Sequence, residues 1–174
     1  MAAVPEIETE RLLLRAHRPE DLSASLAIWA HPEVTRFIGG RPSTQEEVWW
    51  RLLRYAGLWR MLGYGYLAVV ERASGRMIGD VGLADFKRAI SPALGEVPEA
   101  GWALHPDFHG KGYALEAMRA LLDWADAQGI ERTCCIIDPG NAPSTGLATR
   151  LDYGRTGQVD YHGNQLFLFS RNRA

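Results

Sequence analysis

What this chain has little of sets the first limits. Its two cysteines, Cys134 and Cys135, are adjacent. Successive strand residues point to opposite faces, so a disulfide between them is not expected. The formal net charge is -2 at pH 7. That removes any general electrostatic reason to bind nucleic acid or an anionic membrane, and neither is expected as a partner. No apolar run approaches the roughly 20 residues that span a bilayer. The beginning, MAAVPEIETERLLLR, carries Glu6, Glu8 and Glu10 and lacks the basic segment and apolar run of a secretory signal. A cytoplasmic protein is the expectation. Internal repeats, low-complexity segments and long linkers are missing too. At 47% hydrophobic residues, positions 1–174 read as one globular domain with a substantial core.

What is present is a mixed α/β pattern. Arg11 to Ala16 reads as a strand, followed by a helix from about Pro19 to Ala30 with Leu22, Leu26 and Trp29 at helical spacing. Ser43 or Thr44, ahead of Glu46 and Glu47, is the cap signal of another helix, which carries Val48, Leu52, Tyr55 and Trp59. Tyr66 to Val70 and Met77 to Leu83, joined through Ser74-Gly75, predict an antiparallel hairpin. Ala89 to Pro98 reads as a surface loop. The chain ends in a second hairpin, about Gly154 to Tyr161 and Gln165 to Ser170, turning on His162-Gly163-Asn164.

Between the hairpins lies the stretch EAGWALHPDFHGKGYALE, from Glu99 to Glu116. A strand from Ala100 to Leu104 enters a turn through His109-Gly110-Lys111-Gly112, and a helix follows from about Gly112 to Gln128. A strand from Thr133 to Ile137 completes a crossover unit, whose two strands are therefore parallel. Glycines let backbone approach a ligand closely, and the first helical turn leaves N–H groups unpaired at the positive end of the dipole. No Ser, Thr, Asp or Asn precedes this helix to cap it, so an anion such as phosphate could. A tight turn with no ligand is the competing reading. A P-loop is excluded, because Gly112, not Ser or Thr, follows Lys111. A dinucleotide fingerprint fails where Leu115 replaces a small residue and too little chain remains for that fold.

Taken together, TERLLLRAHRPEDL, HPEVTRFIGG, HPDFHGKGYALEAM and NAPSTGLATRLDYG resemble the GNAT acetyltransferase superfamily, in particular the RimJ/RimL type of ribosomal-protein N-terminal acetyltransferase. The resemblance covers nearly the whole chain. It implies a GNAT-like fold: a central, largely antiparallel twisted sheet with one parallel strand-helix-strand unit splayed around the cofactor, flanked by helices. It implies acetyl-coenzyme A as donor, a primary amine on a peptide or small molecule as acceptor, and no metal. The family signature falls on His109, Gly112 and Ala114, with His109 departing from the usual Gln or Arg. Asp152 likewise stands where the family has glycine before an aromatic.

By the same resemblance, Gly110, Lys111, Gly112, Tyr113 and Ala114 present amides to the pyrophosphate, and His109 lies beside them. Trp102, Ala103 and Leu104 lie along the donor, with the thioester carbonyl near Ala103 to His105. Asn141 contacts the pantetheine arm or its loop, and Ser144 is the acid for the leaving thiolate; helix capping is the alternative for both. Glu99 is the candidate base, with a solvated strand-end charge as its alternative and Asp80, Asp85, Glu96 and His105 as other bases. His17, His31 and His162 read as surface or turn residues. Of Trp49 and Trp50, which cannot face one side of a helix, one is a candidate for the acceptor site. A coenzyme A binding or sensing domain without catalysis is the rival reading, and nucleotide binding by the same turn a third. An exposed Trp or the terminal hairpin could support a homodimer.

Overall fold

The computed structural model describes residues 4–173. One sheet runs through it in the order β1-β2-β3-β4-β6-β7-β9-β8-β5. Its strands are β1 (Ile7–Glu8), β2 (Leu12–Arg15), β3 (Tyr66–Glu71), β4 (Met77–Ala84), β5 (Ile90–Ser91), β6 (Glu99–Leu104), β7 (Arg132–Ile137), β8 (Gly154–Tyr161) and β9 (Asn164–Asn172). The helices are α1 (Leu22–Trp29), α2 (Pro32–Thr35), α3 (Gln45–Leu62), α4 (Tyr113–Ala127) and α5 (Ala142–Arg150). Every neighbouring pair of strands is antiparallel except β6 and β7. The expected mixed fold with one parallel unit is therefore the observed one. The loop expected over Ala89 to Pro98 differs: Ile90–Ser91 pairs with Tyr161 and Asp160 at the sheet edge, a pairing too short to leave a strand pattern.

The helices begin where side chains can cap them. Thr44 accepts from the Glu47 N–H while the Glu47 carboxylate accepts from the Thr44 N–H, a reciprocal box that starts α3. Gly63 ends it in the left-handed conformation, φ 75°. α4 buries Ala117, Met118, Leu121, Leu122 and Ala125 on one stripe against Leu12, Leu14, Val81 and Leu104 of the sheet. α1 and α3 cover the opposite face, where Trp29, Val48 and Ala103 pack together and Tyr55 stacks on Tyr66.

Glu116, in the first turn of α4, ties the N-terminal edge to this frame. Its carboxylate accepts from the Thr9 hydroxyl at 2.6 Å, the Arg11 N–H at 2.9 Å and the Arg11 guanidinium at 2.7 Å. Burial alone would raise the Glu116 carboxyl, but the bonds from Thr9 and Arg11 outweigh it and hold it below its ordinary value of 4.5. A depressed carboxylate contributes stability that is complete above its unfolded pKa and fades as pH falls through the folded one. Glu116→Gln is expected to lower the unfolding free energy at pH 7 by about 1.5–3 kcal/mol, the range for hydrogen bonds to a charged group. In urea titrations the deficit should shrink as pH is taken from 5 towards 3.

Candidate functional site

The site is organised by a divergence in the sheet. β6 is held to β4 from Gly79↔Leu104 to Ala84↔Glu99, and β7 is held to β9 from Arg132↔Asn172 to Ile137↔Phe167. Between β6 and β7 the register contains a single pair, Glu99↔Cys134, supported by the Cys134 N–H donating to the Pro98 carbonyl at 3.0 Å. Beyond that pair, β6 presents an edge towards the gap from Ala100 to Leu104, with the Leu104 carbonyl taken by His109. A strand edge with unpaired amides and carbonyls is a template for an extended, amide-bearing ligand.

The gap runs towards the glycine turn. Gly110 (φ 71°) and Gly112 (φ 81°) are left-handed, so the chain turns tightly from the Pro106–Phe108 3₁₀ turn into α4. Gly112 is the N-cap and offers no side chain. The first helical bond joins the Glu116 N–H to the Gly112 carbonyl. The N–H groups from Gly110 through Leu115 donate to nothing among the described residues. These free donors, at the positive end of a 15-residue helix, fit a pyrophosphate. Arg11 holds the turn in place through the Lys111 carbonyl at 3.0 Å. A groove of about 840 Å³ also touches Gly112; Glu8, Glu10, Glu116 and Asp123 line it against Arg11 and Arg119, so its carboxylates outnumber its guanidiniums.

Side chains around the turn are directed away from the free amides. His109 Nε2 bonds the Leu104 carbonyl at 2.8 Å, Lys111 Nζ donates to the Asp107 carbonyl at 2.7 Å, and the Tyr113 hydroxyl donates to Glu71. What the turn offers a ligand is therefore its backbone amides.

Across the gap from the turn, past the C-terminal end of β7, Asn141 and Ser144 separate in role. The Asn141 side chain caps α5 by accepting from the Ser144 N–H at 3.2 Å. The Ser144 hydroxyl takes no part in capping; it accepts from the Trp102 indole N–H at 3.2 Å. That bond links β6 to α5, and it leaves the hydroxyl proton without an acceptor among the described residues. Ala103 and Leu104 are buried beside it, facing opposite sides of the sheet.

Glu99 is not a solvated strand-end charge. It is 8% exposed, and the Arg88 guanidinium holds both its oxygens, at 2.9 and 3.2 Å. Arg88 also donates to the Tyr161 hydroxyl at 3.3 Å. Among the other base candidates, Asp80 is fully buried and held by the Trp29 indole N–H at 2.7 Å and by His17 Nε2. Asp85 pairs with Lys87 at 2.6 Å, Glu96 is exposed in its loop, and His105 Nδ1 accepts from the Asp107 N–H. His17 corrects the expectation of a surface residue: its partner Asp80 lies far along the chain, so no local pattern could reveal it. His31 caps α2 and His162 sits in the terminal turn with φ 53°. Trp49 and Trp50 are both exposed, at 37% and 62%, whereas Trp59 turns inward against Trp124. The cysteines are free and buried, and burial pushes the Cys134 thiol up to about 12, which makes it unreactive.

The family model of the acetyltransferase (GNAT) domain matches residues 11–153. The chain belongs to the GNAT acetyltransferase family. GNAT acetyltransferases use acetyl-coenzyme A, so this GNAT protein is an acyl-CoA-dependent N-acetyltransferase by family. It is similar to a GNAT-family acetyltransferase structure from Bordetella pertussis, 30% identical, covering 96% of this chain and 99% of that one with a TM-score of 0.84. A RimL ribosomal L7/L12 α-N-protein acetyltransferase solved with coenzyme A shares the fold at 17% identity, covering 97% and 98%, with a TM-score of 0.78. An L-methionine sulfoximine/L-methionine sulfone acetyltransferase of Pseudomonas aeruginosa is 32% identical over 103 residues, 59% of this chain and 58% of that one.

Gly112→Ala is expected to weaken coenzyme A binding in calorimetry at least tenfold while lowering stability by only about 1–2 kcal/mol, the cost of a left-handed non-glycine residue.

Proposed function

We propose that this GNAT protein transfers the acetyl group of acetyl-coenzyme A to a primary amine by direct attack in a ternary complex. The observation that carries this reading is the unpaired edge of β6, which leads from the free amides of the turn to Trp102 and the Ser144 hydroxyl. Acetyl-coenzyme A supplies an activated acyl carbon. Within that setting the amides from Gly110 through Leu115 hold the pyrophosphate, and the edge from Trp102 to Leu104 holds the arm and polarises the thioester carbonyl. The Pseudomonas relative, named for an amino-acid derivative, supports an amine as acceptor.

An ammonium must lose a proton before it can attack, and the departing sulfur must gain one. Ser144 is assigned the second task. Because the Trp102 indole donates to its oxygen, the Ser144 proton is left to point elsewhere, and we assign that direction to the departing thiolate. Glu99 is assigned the first. Each carboxylate oxygen has two lone-pair sites, so after Arg88 has taken one on each, another remains to take the ammonium's proton, directly or through a water. Arg88 thereby acts as a positioning residue for Glu99.

Thiol release from acetyl-coenzyme A across an amine panel, with donor binding measured in parallel, tests the reading; donor binding without turnover on any amine would favour a coenzyme A sensor instead. For the roles, Ser144→Ala is expected to lower kcat by about 10²–10⁴-fold, the scale of general acid catalysis, with donor affinity changed less than threefold. Unchanged turnover would remove Ser144 from the chemistry. Glu99→Gln should lower kcat with donor affinity changed less than threefold.

A further inference from the structure

The face of the sheet covered by α3 carries more positive charge than its partners neutralise. Arg51 and Arg54 stand on α3, and Arg88 on the connection between β4 and β5. The Arg54 and Arg88 guanidinium carbons lie 5.0 and 4.7 Å from the centre of one ring, that of Phe86. Arg51 lies 3.7 Å over Trp29, with its Nε buried and bonded to nothing among the described residues. Of the three, only Arg88 has a carboxylate, Glu99; no described carboxylate pairs with Arg51 or Arg54. Partial desolvation, and then the like charges of Arg51 and Arg88, hold the Arg54 guanidinium below its ordinary value. Asp80 lies nearby, buried and already held by Trp29 and His17.

This cluster reaches β6 in two ways, through Arg88 on Glu99 and through Phe86 on Tyr66. Phe86 meets the Tyr66 ring at 6.1 Å. Tyr66 lies flat across Gly82 and Gly101, and a Cβ placed on Gly101 would stand 2.0 Å from the phenol oxygen. Gly101 is the strand neighbour of Trp102, whose indole bonds Ser144. Glu99, two residues away on β6, shares its face with Gly101. One side of the gap therefore offers a carboxylate for an ammonium, with the Arg54 guanidinium across Phe86 from Arg88 and the Arg51 guanidinium over Trp29, neither paired with a described carboxylate.

We infer that the acceptor is an amine that also carries a carboxylate, with the amine at Glu99 and the carboxylate at Arg54 and Arg51. The assignment rests on the reading of the chain as an amine acetyltransferase and adds the acceptor's chemical class. Guanidinium is a planar donor fork matched to carboxylate, and an anion seated there relieves the repulsion among the three arginines. A free amino acid and a peptide with an acidic first residue both have this chemistry.

The test is thiol release from acetyl-coenzyme A with acceptors matched except for the carboxylate: free L-amino acids against their amides, and Asp- or Glu-led peptides against Asn- or Gln-led ones. The acids are expected to exceed the amides at least tenfold in kcat/KM, and whichever series shows it identifies the source of the carboxylate. Arg54 is exposed on α3, so Arg54→Gln keeps the fold; it should collapse the preference at least tenfold, mainly through acceptor KM, and Arg54→Lys should restore part of it. Equal rates for acids and amides, or a preference that survives both Arg54→Gln and Arg51→Gln, would overturn the assignment. A binding arm keeps the two readings apart: N-acetyl amino acids and their amides are titrated into the protein with coenzyme A present. A tenfold preference for the acid that Arg54→Gln abolishes upholds the site even if no amine turns over, in which case it is the transferase reading that fails. Equal binding of acid and amide overturns the site.

Discussion

The structure depends on two strands that meet at one residue pair. β6 belongs to the half-sheet of β1 to β4, and β7 to the half-sheet of β9 and β8; each half is closed by its own antiparallel ladder. The two halves touch at Glu99↔Cys134 and then separate. α4 packs beneath β2, β4 and β6, while α5 packs beside β7, so the helices follow the division. An exposed strand edge is ordinarily a liability. Here it lies between a cluster of free helix-terminal amides and a serine hydroxyl, which is why the proposed donor site follows it.

The opposite face of β6 explains why the strand is rich in small residues. Asp80 is buried under α1 with the Trp29 indole and His17, and Tyr55 and Tyr66 stack at 4.4 Å with nearly parallel planes. Tyr66 can lie across the sheet only because Gly82 and Gly101 have no side chains. Gly79 is needed for a similar reason, since a Cβ there would stand 2.5 Å from the Ala103 carbonyl. The packed polar layer and the reactive edge are thus two sides of the same short strand. A change in one is transmitted to the other because interiors this dense have little room to adjust.

Much of the fold was legible because its signals are local. The hairpin turns, the capping box at Thr44 and Glu47, the apolar stripe of α4 and the glycines of the turn all depend on residues within a few positions of one another. The crossover followed from the order strand, helix, strand. The site was half legible. The turn's residues were named from sequence; the structure shows their amides free and the side chains of His109, Lys111 and Tyr113 bonded elsewhere. Arg51, Arg54 and Arg88 left no signal in the sequence, since they are scattered among ordinary positions on α3 and the β4–β5 connection; Arg54 and Arg88 meet only at Phe86, and Arg51 stands over Trp29.

By itself, then, the sequence determined the order of elements, the missing cap before α4, the absence of strong net charge and the family resemblance, all of which are properties of neighbours along the chain. Only the tertiary structure decided that β6 and β7 part after one pair, that Asn141 is the cap while Ser144 faces Trp102, that Glu99 is held by Arg88, and that His17 is buried on Asp80. Each of these is a contact between residues distant in sequence. Such contacts are set by how two half-sheets and their helices pack, and packing leaves no periodic trace in the order of the letters.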